Sequence, residues 1–136
     1  MDKFSPHYFT VRVYYEDTDA GGIVYYANYL RFFERARSEY VRDLGVSQQT
    51  LLDENIAFVV KKINMENHAP AKFEQEITIQ TIISELKRAS MVFKQSIYFE
   101  DRLLVSAEVQ VACVNLLKMK PCAIPSLLYK ECLRVN

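Results

Sequence analysis

An α+β fold, with an antiparallel sheet of about five strands wrapped around one long helix, is predicted by three features of this sequence. One run, from Asn28 to Leu44, carries apolar side chains at intervals of three and four, the repeat of a helix with one buried face. A strand-like run precedes it, and four longer runs after it alternate with a period of two, as half-buried strands do. No repeat, low-complexity tract or Gly/Ser linker divides the chain, so its 136 residues fit a single domain, 1–136.

The elements follow in order. Residues 8–15, YFTVRVYY, alternate Phe9, Val11, Val13 and Tyr15 against Thr10, Arg12 and Tyr14, which predicts a strand running into an acidic loop. Asn28 is an acceptable N-cap for the long helix, whose apolar face is Tyr29, Phe32, Phe33, Ala36, Tyr40 and Leu44. Gly45 stands at the C′ position that ends such a helix. The opposite face carries Arg31, Glu34, Arg35, Ser38, Glu39 and Arg42, with Arg35 and Glu39 one turn apart, and is read as facing solvent or another subunit. Ser47 caps a shorter helix, with Val46 placed to staple against Leu51. Strands are predicted over 56–66, 73–85, 90–99 and 103–116, joined at short polar breaks (68–72, 86–89, 100–102) that lack an Asn-Gly signature. Ile124-Pro125 leads into a short terminal helix.

Composition narrows the function. Half of the residues are hydrophobic and a quarter charged, enough to bury a core. Seventeen basic and seventeen acidic side chains cancel, so no global field recruits nucleic acid or an anionic membrane, and an anionic ligand needs a local basic patch. The start, MDKFSPHYF, lacks the pattern of a secretory signal, and no apolar run approaches the ~20 residues that cross a bilayer, so a cytoplasmic location is expected. Cys113, Cys122 and Cys132 are odd in number and contain no C-x-x-C pair, which argues against a disulfide framework or a zinc site. A Cys-His nucleophile requires the fold to bring in His7 or His68. There is no G-x-S-x-G elbow, phosphate loop or dinucleotide fingerprint, and no metal or organic cofactor is called for.

The informative segment is YEDTDAGGIVYYANY, where Glu16, Asp17 and Asp19 precede the one Gly-Gly pair and the start of the long helix. A carboxylate beside a helix start, whose first N–H groups are unpaired, supplies a water-activating or attacking group together with donors for a developing oxyanion. On spacing alone, the same acidic residues read more readily as caps of a turn or helix.

The string VRVYYEDTDAGGIVYYANYLRFFERARSEY resembles the signature of the 4-hydroxybenzoyl-CoA thioesterase family of hot-dog-fold enzymes, and is closest to the acyl-CoA thioesterases associated with the bacterial Tol-Pal envelope system. HAPAKFEQEITIQT and SELKRASMVFKQSIYF resemble the same group, so the likeness spans nearly the whole chain. It implies a small or medium acyl-CoA as substrate, and strand edges paired into a homodimer or further stacked as a homotetramer. It also implies Asp19 as the catalytic carboxylate, acting as nucleophile or as general base, and Asp17 as a structural cap. The backbone N–H at or beside Tyr26 is implied as the oxyanion donor, and Tyr15 matches a tyrosine of the site. Lys87, Arg88 and Ser90 match a basic turn that contacts CoA, although Ala89 stands where the family has a third basic residue; Lys118 and Lys120 are further phosphate candidates or solvated lysines. The Tol-Pal-associated group reads VYHAN where this chain has VYYAN, so Tyr26 replaces a histidine and a His-assisted route is not expected. Two other readings remain: a catalytically weak scaffold that binds envelope or lipid-synthesis proteins, and a thioesterase acting on acyl carrier protein.

Overall fold

A computed structural model describes residues 6–135; the amino-terminal stretch read as lacking a signal therefore lies largely outside the described residues. The chain orders itself as β1 (His7–Arg12), a single 3-10 turn (Tyr15–Asp17), α1 (Asn28–Asp43), α2 (Gln48–Asp53), β2 (Ile56–Asn67), β3 (Glu76–Leu86), β4 (Ser90–Phe99), β5 (Arg102–Asn115), β6 (Lys120–Pro121) and α3 (Ser126–Val135). All pairings are antiparallel, in the order β1-β3-β4-β5-β2, and the two-residue β6 continues beside β5 where β4 stops. Register shifts at Val60/Lys62, Ile83/Glu85 and Ile97/Tyr98 bend the strands. Bulges of this kind increase local twist, and they curl the sheet around α1. The result is the hot-dog fold.

The period-two pattern decides which face packs. Ile77, Ile79 and Ile83 of β3, Met91, Phe93 and Ile97 of β4, and Val105, Val109 and Val111 of β5 are buried against Tyr29, Phe32, Phe33, Ala36 and Tyr40 of α1. Each large side chain so buried contributes about 1.5–3 kcal/mol. Among the described residues, the buried polar positions are Thr81 and Gln95, and they form one network. The Gln95 amide donates to the Phe33 carbonyl and the Thr81 hydroxyl, both at 3.0 Å, and its oxygen accepts from Arg37 Nη1 at 3.0 Å. This network fixes α1 against the sheet with its polar atoms paired.

Helix ends follow the expected chemistry with one change. Gly45 adopts φ +91 just past α1, and Ser47 accepts from the Thr50 N–H at the start of α2. Asn28, however, is helical; Ala27 holds the N-cap position without a side-chain bond, and the Asn28 amide instead donates to the Asp17 carbonyl at 2.9 Å. Glu39 pairs with Arg42 rather than Arg35. The first strand also ends earlier than its alternation suggests. Val13 is fully buried and continues the pattern, but by Tyr15 the chain has left the sheet for the 3-10 turn, so Tyr15 is not a strand residue. The connection from β4 to β5 is a two-residue turn with Glu100 at φ 55, made without the glycine usually found there. No described helix is long and apolar enough to cross a membrane.

Candidate active site

The segment between β1 and α1 is tied at both ends and held along its middle. Asp17 caps its own turn, its carboxylate accepting from the Tyr14 N–H at 2.8 Å while its carbonyl accepts from Tyr25 N and the Asn28 amide. On the other side, Val24 N donates to the Ala71 carbonyl at 2.9 Å and Phe73 N to the Gly22 carbonyl at 2.9 Å. The Tyr29 hydroxyl then accepts the Ala71 N–H at 3.0 Å, so α1 and the 68–75 connection clamp the segment between them. Burial pushes the Tyr29 hydroxyl above its ordinary 10.0, and the bond from Ala71 opposes that rise.

At the apex sits Asp19. Its N–H donates to the Ile23 carbonyl, its carbonyl accepts from Gly22 N, and its Oδ1 accepts from Gly21 N at 3.0 Å. Gly22 has φ +72, the left-handed backbone that closes this loop. One carboxylate oxygen is thus held by backbone, while among the described residues Oδ2 has no bonded partner and Asp19 is exposed. Immediately before α1, Asn28 N and Tyr29 N donate to the carbonyls of Tyr25 and Tyr26, whereas the N–H groups of Tyr26 and Ala27 donate to no acceptor among the described residues. These are the free donors expected at a helix start.

The other expected site residues divide into two groups. Tyr15 and Tyr26 share the Asp19 loop: Tyr15, 76% exposed, stands edge-on to Phe73, and Tyr26 packs on Tyr25 with ring centres 5.1 Å apart. Lys87, Arg88 and Ser90 form the β3–β4 turn, where Lys87 N donates to the Ser90 carbonyl and Lys87 Nζ pairs with Glu85 at 3.3 Å. Lys118 and Lys120 lie beyond, around the β5–β6 turn. The two groups stand apart in one chain, because Asp19 adjoins the start of β3 and the basic turn its end. Eleven strand residues intervene, roughly 35 Å of strand.

The cysteines play no part at this site. Cys113 is buried with its sulfur 3.6 Å from that of Cys122, a neighbour across the β5–β6 pair that cysteine spacing did not announce. Neither histidine serves them: His7 contacts Asp43 and stacks on Tyr40, and His68 bonds Ser106.

Likeness to known proteins decides the family. Residues 13–131 match the thioesterase-like superfamily. The chain belongs to that superfamily. It is 52% identical over 118 residues to the acyl-CoA thioesterase YbgC of Haemophilus influenzae, covering 86% of this chain and 87% of that protein. It is also 52% identical over 122 residues to the acyl-CoA thioester hydrolase YbgC of Escherichia coli O157:H7, covering 89% and 91%. Among solved structures, a probable thioesterase from Bartonella henselae superposes with a TM-score of 0.83 at 40% identity, covering 89% of this chain and 100% of that one.

Proposed function

We infer that this thioesterase-family chain hydrolyses the thioester of an acyl-CoA, with Asp19 as the reacting carboxylate and the N–H groups of Tyr26 and Ala27 as the oxyanion donors. The observation that carries the reading is the pairing of a half-bonded carboxylate with unspent helix-start donors in one clamped loop. Charge develops on the thioester oxygen as the carbonyl carbon is attacked, and fixed N–H groups stabilise it without reorganising. Asp19 either activates water or attacks directly. Tyr26 offers a hydroxyl as a hydrogen-bond donor where a histidine would offer a base.

The substrate's phosphates are assigned to Lys87, Arg88, Ser90, Lys118 and Lys120, with the acyl part entering first at Asp19. Because one chain separates these groups by the length of β3, the reading requires a second copy. The outer edge of β2 is twelve residues long and pairs with nothing among the described residues. Joining two β2 edges antiparallel across a two-fold axis brings the Asp19 end of one copy level with the Lys87–Arg88 end of the other.

The test is acyl-CoA hydrolysis, followed by released thiol. Asp19→Asn is expected to lower kcat by about 10²–10⁴-fold, the range of a positioned acid–base group, and Tyr26→Phe by far less. Equal losses in the two variants would refute a site run by Asp19 and backbone donors.

A further inference from the structure

A cavity of about 310 Å³ lies between α1, α2 and the inner face of the sheet, away from the loop that holds Asp19 in the same chain. Its floor is apolar, made by Met91, Phe93, Val111, Val41 and Phe58. Arg37 stands in its wall. The guanidinium spends Nη1 on Gln95, and it forms no ion pair among the described residues. Burial pulls the Arg37 pKa below its ordinary 12.5, with Glu34, one turn earlier on the rim, holding it up through space. A guanidinium has five N–H donors in a planar fork and keeps its charge. Partly buried, with only Nη1 spent on Gln95 and Glu34 acting through space without an ion pair, it presents unspent donors of the fork that binds a carboxylate bidentately.

We propose that this cavity is an acyl-end site for dicarboxylic acyl groups: the apolar body lies on Met91, Phe93 and Val111, and the free terminal carboxylate binds Arg37. The proposal rests on the thioesterase reading and deepens it. A 150 Å³ cavity holds benzene, so this one has room for a body roughly twice that size. The position also suits the paired arrangement. His7 at the start of β1 contacts Asp43 at the end of α1, which puts this half of α1 at the end of the molecule opposite its own Asp19. In the two-fold pairing, that end faces the Asp19 of the partner copy. Hydrolysis then proceeds as for any thioester: the oxygen of water bonds to the acyl carbon, the carbon–sulfur bond breaks, and the proton passes to the departing CoA sulfur. The products are a free diacid and CoA thiol.

The experiment compares adipoyl-CoA with hexanoyl-CoA, which share their chain length and differ in the terminal carboxylate. Arg37→Met is expected to lower the ratio of their kcat/KM values about tenfold or more, the usual worth of a hydrogen bond to a charged group. Arg37→Lys should restore part of the ratio, and Glu34→Gln, which removes a repelling charge from the rim, should raise it. A loss of helix packing would lower both substrates and leave the ratio unchanged, so an unchanged ratio in Arg37→Met overturns the proposal. Calorimetry with adipate alone separates the two readings. Adipate binding that Arg37→Met abolishes supports the cavity even if no acyl-CoA is hydrolysed; hydrolysis of hexanoyl-CoA with no adipate binding overturns the cavity and leaves the thioesterase reading standing.

Discussion

Tyr29→Phe isolates the clamp on the loop that carries Asp19. The substitution keeps the buried ring and its edge-on contact with Phe32 and removes one oxygen, so apolar burial is unchanged to first order. What is lost is the acceptor for the Ala71 N–H, at a residue with no solvent exposure. A buried donor left unpaired costs about 1–3 kcal/mol. The same residue, Ala71, accepts through its carbonyl from Val24 N, so the loop bearing Asp19 is loosened along with it. The assay is urea unfolding by circular dichroism at matched protein concentration, since the folded state of a subunit assembly depends on concentration, with acyl-CoA hydrolysis measured in parallel. The expected result is a lower midpoint at unchanged slope, worth about 1–3 kcal/mol, together with a fall in kcat. A midpoint displaced by under about 0.3 kcal/mol would mean that the Ala71 N–H finds another acceptor, and the clamp argument would fail.

Two further outcomes follow. Burial, reinforced by the neighbouring Cys122, pushes the Cys113 thiol up to about 12, and burial beside Glu131 pushes Cys132 to about 11. Both folded values exceed the ordinary 9.0, so the unfolded chain ionises first; stability present below pH 9 is lost as pH rises toward 11–12, and Cys113→Ala should flatten that alkaline slope in urea midpoints. Mixing Asp19→Asn with a Lys87→Ala/Arg88→Ala double variant should restore about a quarter of wild-type activity, because half of randomly paired dimers are mixed and each holds one intact site; no recovery would place both groups in one subunit's site.

Strand positions were legible because alternation is set by burial on one face of a sheet, and β2 to β5 fall within three residues of the runs that the period predicts. The end of β1 was not, since Val13 stays buried after the chain has left the sheet, and nothing in the apolar pattern marks Tyr15 as belonging to a loop. Asn28 misled for a related reason: its amide bonds a loop carbonyl eleven residues back, a partner that local spacing cannot reveal. On spacing alone Asp17 and Asp19 looked alike, and only the family resemblance told them apart. Each carboxylate accepts one backbone N–H, and position separates them: Asp17 closes its own partly buried turn, while Asp19 stands exposed at the apex of the loop. Arg37 carried no signal at all, because the cavity in its wall exists only once α2 and β2 fold back beside α1.

If Asp19 works as proposed, its surroundings bear on why one copy would be insufficient. Tyr14, Tyr15, Ile23, Tyr25, Tyr26 and Phe73 all expose large apolar surface near the loop, between 38% and 76% of each side chain's residue. A concentration of that kind is characteristic of a surface meant to be covered. Left open, it would also leave the Tyr26 and Ala27 donors in bulk water, where each hydrogen bond to a developing oxyanion competes with solvent and electrostatic stabilisation is weak. Antiparallel pairing of β2 edges answers both needs at once: the cover excludes water from the loop, and the same movement supplies the basic turn that one chain holds a full strand length away. In this scheme catalytic power depends on association, so specific activity should be a property of the dimer and not of the chain.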